Sequence, residues 1–361
     1  MGMTQVAAPF PRLPLLQKSN MSVNDFSESF WLCMNTTGYI DTLGAVIFVT
    51  EIFGLLPGLL VTVLLCRLDG KTRTSLLMLR TLVICAVLQL IVSLIADIYP
   101  YPIRTASYGF NIFMCIIWTS RFAIWIFAII GAHAQLYFST HRTLQIVANL
   151  QLSFASSRNI DLVYIAGLTL YSAIITLPQV FTIEYDGDRC YCGETPMRLA
   201  YLQVAYAQVY VFFTQVLLVN SVVLLISCYL TIKWVKNTPR EKFMDTLNTL
   251  SFPNTPEQEL KAYSEVKGWS TSTMCIVPMF VSYVIAFSYD TTYQFLSAIG
   301  LTYYPINGLT QKFGVWIQLL HPMLIPYYLL YYIPALRFWV LKRWHWAVRS
   351  CRRQGRHHHP L

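Results

Sequence analysis

Residues 319–332 read LLHPMLIPYYLLYY, an apolar stretch in which one histidine and two prolines interrupt leucine, isoleucine and tyrosine. It belongs to an apolar window, about 309–334, that is long enough to cross the roughly 30 Å hydrocarbon core of a bilayer as a helix. Similar windows recur at about 43–66, 76–99, 109–138, 161–183, 204–232 and 269–289. These seven windows predict an all-α membrane protein whose residues 43–334 form a seven-transmembrane helix bundle.

The composition agrees with this fold class. The chain has 361 residues, of which 55% are hydrophobic and 12% charged, and its mean hydropathy is +0.49. Soluble domains carry about twice that charged fraction. With the N-terminus outside, nineteen of the 26 Lys and Arg residues fall in predicted cytoplasmic segments, as the positive-inside rule requires. The net charge of +9 therefore indicates topology and gives no support to a nucleic-acid partner. We expect a multi-pass protein of the plasma membrane with an extracellular N-terminus.

The first 42 residues are predicted to form an extracellular, glycosylated tail. Two acceptor sequons occur there, Asn20-Met21-Ser22 and Asn35-Thr36-Thr37, so Asn20 and Asn35 are the candidate glycosylation sites. Residues 1–20 lack a long apolar core, and we expect the first span to act as its own insertion signal.

Four of the nine cysteines lie at or beyond the predicted outer face, where oxidation is permitted. They are Cys33, Cys115, Cys190 and Cys192, an even set that allows three pairings. We expect Cys115 to bond to Cys190 or to Cys192, and the remaining loop cysteine to bond to Cys33. The alternative is a single bridge with two free thiols.

The inner end of the third window reads YFSTHRTLQIV, residues 137–147. A cysteine at the outer end of span three, a cysteine in the second outer loop and Arg142 together resemble the rhodopsin-like (class A) G-protein-coupled receptors. That family carries an acidic residue, Arg and Tyr where this chain has His141, Arg142 and Thr143. The chain is also similar to flatworm orphan receptors with a His-Pro variant in span seven. The resemblance implies a receptor that converts extracellular ligand binding into activation of a heterotrimeric G protein, with His141 and Arg142 at the coupling end.

Other switch positions follow from the same resemblance. Phe280 keeps the first position of the family's span-six motif, whose Trp and Pro are missing, and Tyr229 keeps the tyrosine near the inner end of span five. His321-Pro322 replaces the Asn-Pro of span seven, and we expect its prolines to form a hinge. Because Arg142 lacks an acidic neighbour, we expect Glu265, near the inner start of span six, to hold it in the resting state.

The outer half of the bundle offers candidates for ligand binding. A charge within a span is costly and should face the bundle interior or water, which singles out Arg121. Its five donors suit a carboxylate or a peptide carbonyl; the alternative is an internal ion pair with Glu51 or Asp97. The acidic loop EYDGDRCYCGE favours a peptide ligand. The candidate ligand-binding residues are Arg121, Trp118, Tyr283 and Phe287.

Residues 335–361 are predicted to form a cytoplasmic basic tail. Its stretch RFWVLKRWHWAVRSCRRQGR mixes aromatic and basic residues without an acid. This pattern predicts an amphipathic eighth helix that lies on a bilayer with anionic headgroups.

Two other function classes fit the sequence less well. The alternative is a seven-span transporter or channel, but the odd number of spans and the absence of an internal repeat disfavour it. A membrane-embedded enzyme needs His, Asp and Glu clustered at one depth, and the sequence has no such cluster. We expect no catalytic activity, no cofactor and no metal site.

Overall fold

The computed structural model describes residues 30–33, 41–70, 73–99, 105–147, 158–185, 187, 190–192, 199–239, 241–306 and 308–356. Helices account for most of this part of the chain. The α-helices of the described residues are α1 Thr42–Arg67, α2 Arg73–Ile98, α3 Tyr108–Thr119, α4 Phe122–Val147, α5 Arg158–Thr176, α6 Leu199–Val211, α7 Asn220–Asn237, α8 Glu257–Ser264, α9 Ile276–Ala298, α10 Leu309–Tyr332 and α11 Pro334–Arg356. Four short strands are β1 Trp31–Cys33, β2 Ile183–Tyr185, β3 Cys190–Cys192 and β4 Tyr304–Ile306.

Seven helical segments are long and apolar enough to cross a membrane, which agrees with the seven predicted windows. Many of their large apolar side chains are exposed, among them Phe53, Leu56, Val163 and Leu170. Continuous apolar surface of this extent is costly in water and favourable in hydrocarbon. The chain is therefore a multi-pass, all-helical membrane protein by length and composition. The spans are Thr42–Arg67, Arg73–Ile98, Phe122–Val147, Leu162–Phe181, Leu202–Asn237, Ser272–Ala298 and Leu309–Tyr332.

The third predicted window, 109–138, is divided into two helices. Helix α3 ends at Thr119 and α4 begins at Phe122, with Ser120 and Arg121 between them. Arg121 has a positive φ of 57°, a left-handed conformation that an α-helix cannot continue through. Cys115 therefore lies on a separate short helix and not on the helix that carries Arg142.

The fifth span contains a wide turn. Residues Phe212–Val219 form a π-helix between α6 and α7. The side-chain hydroxyl of Tyr283 on α9 donates to the carbonyl of Val216, and the Asn220 amide donates to the same hydroxyl at 3.3 Å. A π-helix leaves backbone carbonyls displaced from their usual partners. Tyr283 thus satisfies one of them and joins the fifth span to the sixth.

Helix α10 runs without interruption from Leu309 to Tyr332 and contains both Pro322 and Pro326. It packs closely on α1 because Gly54 has no side chain: a Cβ there would lie 2.9 Å from the Cα of Met323. The hinge predicted at these prolines stays a prediction, because it concerns motion of α10 and not its conformation in one structure.

Residues 241–271, between α7 and α9, fold back against the bundle rather than forming an open loop. Leu247 and Leu250 of this segment are fully buried, as is nearly all of Tyr263 on α8. They pack in the same core cluster as Leu79 of α2 and Ile276 of α9. An antiparallel bridge between Asp69 and Ser251 also joins the segment to the end of α1. We call residues 241–271 the inter-span segment.

Candidate functional site

The bundle has two distinct ends. We call the end that carries Cys115 and Cys190 the disulfide face, and the end that carries Arg142 and the inter-span segment the arginine face. Helix α4 begins next to Arg121 at the first and reaches Arg142 near the second. The third span, α4, therefore reaches from the disulfide face to the arginine face.

Arg142 is the largest fully buried side chain of the described residues. Its Nη2 lies 2.6 Å from Oδ1 of Asp245, and both side chains are 0% exposed. The same Nη2 donates to Thr273 Oγ1 at 3.0 Å, while Nη1 donates to Gln145 Oε1 at 2.7 Å and Thr246 Oγ1 at 3.1 Å. A buried guanidinium is tolerated only when its charge is paired and most of its donors are hydrogen-bonded. Here both Nη atoms are satisfied, and Nε is without a partner among the described residues.

The Asp245 carboxylate is saturated with donors. Its Oδ1 accepts from the Leu247 amide at 2.9 Å as well as from Arg142. Its Oδ2 accepts from the Thr271 hydroxyl at 2.6 Å and the Thr273 amide at 2.9 Å. Four hydrogen bonds fix the carboxylate, so Arg142, the inter-span segment and the start of the sixth span form one unit, which we call the arginine lock.

Glu265 was expected to be the partner of Arg142, and the structure places Asp245 there instead. Glu265 is the C-cap that follows α8, and it is exposed. Its nearness in sequence to span six was misleading, because the chain folds back at the inter-span segment. One local feature in the sequence distinguishes Asp245: it is the N-cap of the 3₁₀ turn Thr246–Thr249, a position at which Asp is favoured.

The other predicted switch residues divide into buried and exposed positions. His141 is buried, hydrogen-bonded to Ser75 at 3.3 Å, and stacked on Tyr137. His321 is buried and hydrogen-bonded through Nδ1 to Ser282 at 2.9 Å. Phe280 is partly buried between two core clusters, and Pro322 is buried within α10. Tyr229 is 63% exposed on the outer surface of the bundle, so it does not join the arginine lock.

At the disulfide face, Cys115 is bonded to Cys190, one of the two partners that the sequence allowed. Strands β2 and β3 form a hairpin that carries Cys190. The predicted pairing of Cys33 with Cys192 falls on side chains outside the described part of the structure. Asn20 and Asn35 also lie outside the described residues.

A cavity of about 70 Å³ lies at the disulfide face. Arg121, Trp125 and several glutamines line it, together with Phe30 and Trp31 from the N-terminal part of the chain. Within the described ranges no acidic side chain forms a salt bridge with Arg121. The alternative ion pair with Glu51 or Asp97 is therefore not formed, and both Glu51 oxygens are without a hydrogen-bond partner among the described residues. The ligand role of Arg121 stays a prediction.

The other ligand candidates lie elsewhere. Trp118 donates its indole N–H to the Tyr99 carbonyl at 3.2 Å and is not part of the cavity lining. Tyr283 is fully buried, and Phe287 packs on it with ring centroids 4.7 Å apart. These two rings pack in the core beside the π-helix. Only Arg121 of the four candidates reaches the cavity.

Tyr304 on β4 is a cavity residue that sequence reasoning missed. Its hydroxyl donates to Oδ1 of Asp290 on α9 at 2.7 Å. Burial, with the nearby carboxylate as a second cause, raises the pKa of Tyr304 well above its ordinary value, so the phenol keeps its proton. The hydrogen bond between Tyr304 and Asp290 therefore connects the lining of the cavity to the sixth span.

Comparison with models of protein families and with curated protein sequences finds no match for this chain.

Proposed function

We propose that the protein is a G-protein-coupled receptor of the plasma membrane. In this proposal it binds an extracellular ligand, a peptide being favoured, at the disulfide face and activates a heterotrimeric G protein at the arginine face. The observation that carries the proposal is the arginine lock: a fully buried Arg142–Asp245 pair at the bundle end opposite to the disulfide-linked cavity. The resemblance to rhodopsin-like receptors includes Arg142 at this end of the third span.

The lock supports a switch because it joins parts that a receptor must separate. Asp245 belongs to the segment between the fifth and sixth spans, while Thr273 belongs to the sixth span itself. Rearrangement of the sixth span pulls Thr273 from Arg142 and exposes the guanidinium. The sixth span also bears Asp290, the partner of Tyr304 beside the cavity. One helix thus touches both proposed sites.

The charge distribution supports the orientation. Helix α11 follows the seventh span at the arginine face and carries Arg337, Lys342 and Arg343. Trp344 and Trp346 of the same helix are exposed. Basic residues beside exposed tryptophans suit the anionic inner leaflet of a cell membrane. These features support the proposal that α11 is an amphipathic helix on the cytoplasmic surface and that the N-terminus lies outside.

The test is ligand-free G-protein activation in cells, compared between wild type and Asp245→Asn at matched surface expression. A receptor should show higher basal activation when the lock is weakened. Glu265→Gln is the control, because it removes one negative charge from the same segment at an exposed position. A transporter or channel would instead show altered solute or ion flux with no G-protein response, and that result would reject the proposal.

A further inference from the structure

The chain places a piece of its own N-terminal region at the disulfide face. Residues 31–33 form β1, which pairs in parallel with β4, so that Trp31 is opposite Tyr304. The Tyr304 amide donates to the Phe30 carbonyl at 3.0 Å. We call residues 30–33 the N-terminal strand. A parallel pair of three-residue strands is weak on its own, so its side chains must hold it in place.

Two aromatic side chains supply that anchor. Trp31 is 3% exposed and Phe30 is also buried, whereas Leu32, the next residue of β1, is 49% exposed. Phe30 packs edge-on against Tyr206 of α6, with ring centroids 4.9 Å apart. Leu202 and Val209, one turn to either side of Tyr206, belong to the same cluster. The strand therefore inserts an aromatic pair into a pocket between α6 and β4.

This arrangement has the form of a bound peptide. Backbone hydrogen bonds to an exposed strand edge give affinity, and pockets for alternate or adjacent side chains give specificity, as in peptide recognition by strand addition. Buried aromatic anchors dominate the energetics of such contacts. The cavity lined by Arg121 continues beyond the aromatic pair.

We propose that this pocket is a peptide-binding site that the N-terminal strand occupies as a built-in ligand. The ligand class is an extended peptide with two adjacent aromatic residues, which pairs with β4 and competes with Phe30 and Trp31. The contacts of Phe30 and Trp31 with β4 and α6 support occupation of the pocket by the N-terminal strand. The role of an external peptide as an activating ligand rests on the proposed receptor function.

The site is connected to the rest of the bundle through Tyr304. This residue pairs with the strand through its backbone and with Asp290 of the sixth span through its hydroxyl. Exchange of the built-in strand for another peptide therefore acts directly on a residue that contacts α9.

The experiment uses the full chain in lipid nanodiscs and a fluorescein-labelled peptide that copies residues 28–33 with serine in place of Cys33. Wild type, Trp31→Ala and the matched control Leu32→Ala are compared. Loss of a buried aromatic anchor costs about 30-fold in affinity, so the peptide should bind Trp31→Ala about 30-fold more tightly than wild type. Leu32→Ala should behave as wild type, because its side chain is exposed and its backbone pairing is retained.

Hydrogen exchange at Tyr304 is the second measurement. Its amide should exchange faster in Trp31→Ala and in Phe30→Ala, and addition of the peptide should restore protection. Trp31→Phe, which keeps an aromatic anchor, should stay close to wild type.

Equal peptide binding to wild type, Trp31→Ala and Leu32→Ala would overturn the inference, as would unchanged Tyr304 exchange in both aromatic variants. Selective peptide binding to Trp31→Ala without any G-protein response would support the site and count against the receptor function. Higher basal signalling in Asp245→Asn, with no selective peptide binding to Trp31→Ala, would support the receptor function and count against the peptide site.

Discussion

Asp245→Asn is the sharpest perturbation of the arginine lock. Each carboxylate oxygen of Asp245 accepts two hydrogen bonds, from Arg142 and Leu247 on one side and from Thr271 and Thr273 on the other. The asparagine amide has one oxygen and one NH2 group. Whichever way it turns, the NH2 group meets two donors, so the variant loses two hydrogen bonds together with the negative charge.

The magnitude follows from burial. Removing one partner of a buried ion pair typically costs about 3–5 kcal/mol, because the other charge is left unpaired. We expect about 3 kcal/mol, the lower end of that range, because asparagine keeps the volume and half of the acceptors. Since 1.4 kcal/mol corresponds to a factor of ten, the locked arrangement should lose roughly 150-fold in population relative to the released one.

The assay is hydrogen exchange of the inter-span segment in purified protein, followed at the amides of Leu247 and Thr273. These amides donate to different oxygens of Asp245, and the single oxygen of asparagine can keep only one of them. At least one of the two should therefore exchange faster in Asp245→Asn, and both should stay protected in Glu265→Gln. The double variant Arg142→Gln/Asp245→Asn should lose less than the sum of the single variants, with a coupling of about 2–3 kcal/mol. Unchanged exchange in Asp245→Asn, or additive losses in the double variant, would refute this account of the lock.

Three further perturbations test the packing and the disulfide face. Gly54→Ala should lower the melting temperature by the equivalent of about 1–3 kcal/mol, because its Cβ would lie 2.8 Å from Leu90 Cδ1; Gly167→Ala, where a Cβ meets nothing within 4 Å, is the control and should show no loss. Cys115→Ser should lower the melting temperature and make it less sensitive to reductant than that of wild type; equal reductant sensitivity in the variant would contradict the bond to Cys190. The Lys312 ammonium, hydrogen-bonded to Asp41, holds the pKa of that carboxyl below its ordinary value. The pair therefore stabilises the fold fully above about pH 4, and this stabilisation is lost as the pH falls further and the carboxylate is protonated. The stability difference between wild type and Asp41→Asn should vanish in acid. A difference that stays constant with pH would contradict the role of this ion pair.

The spans could be predicted because hydropathy is a local property of the chain. The division of the third span could not, because the run IIWTSRFAIWIF is apolar on both sides of Arg121. The left-handed backbone at Arg121 also has no local signal, because no Gly or Asn occupies that position. The π-helix in the fifth span was missed for a similar reason, since its carbonyl partner is Tyr283 on another helix.

The arginine lock shows the same limit in a long-range contact. Arg142 and Asp245 are 103 residues apart in sequence, and no periodicity links them. The sequence identified Arg142 through its position at the end of a span, which is a local feature. Its partner depends on how the inter-span segment folds back, and that depends on the burial of Leu247 and Leu250 against the bundle.

The two ends of the bundle are closed in the same way, by segments of the chain that act as occupants of a site. Trp31 fills the pocket at the disulfide face, and Asp245 fills the position against Arg142 at the arginine face. The sixth span contacts both closures, through the Asp290–Tyr304 bond at one end and Thr273 at the other. Because a packed helix moves as a rigid element, displacement at one end biases the contacts at the other. Coupling between the faces therefore requires no chain of side-chain rearrangements through the core, only a change in how this one helix is held at its two ends.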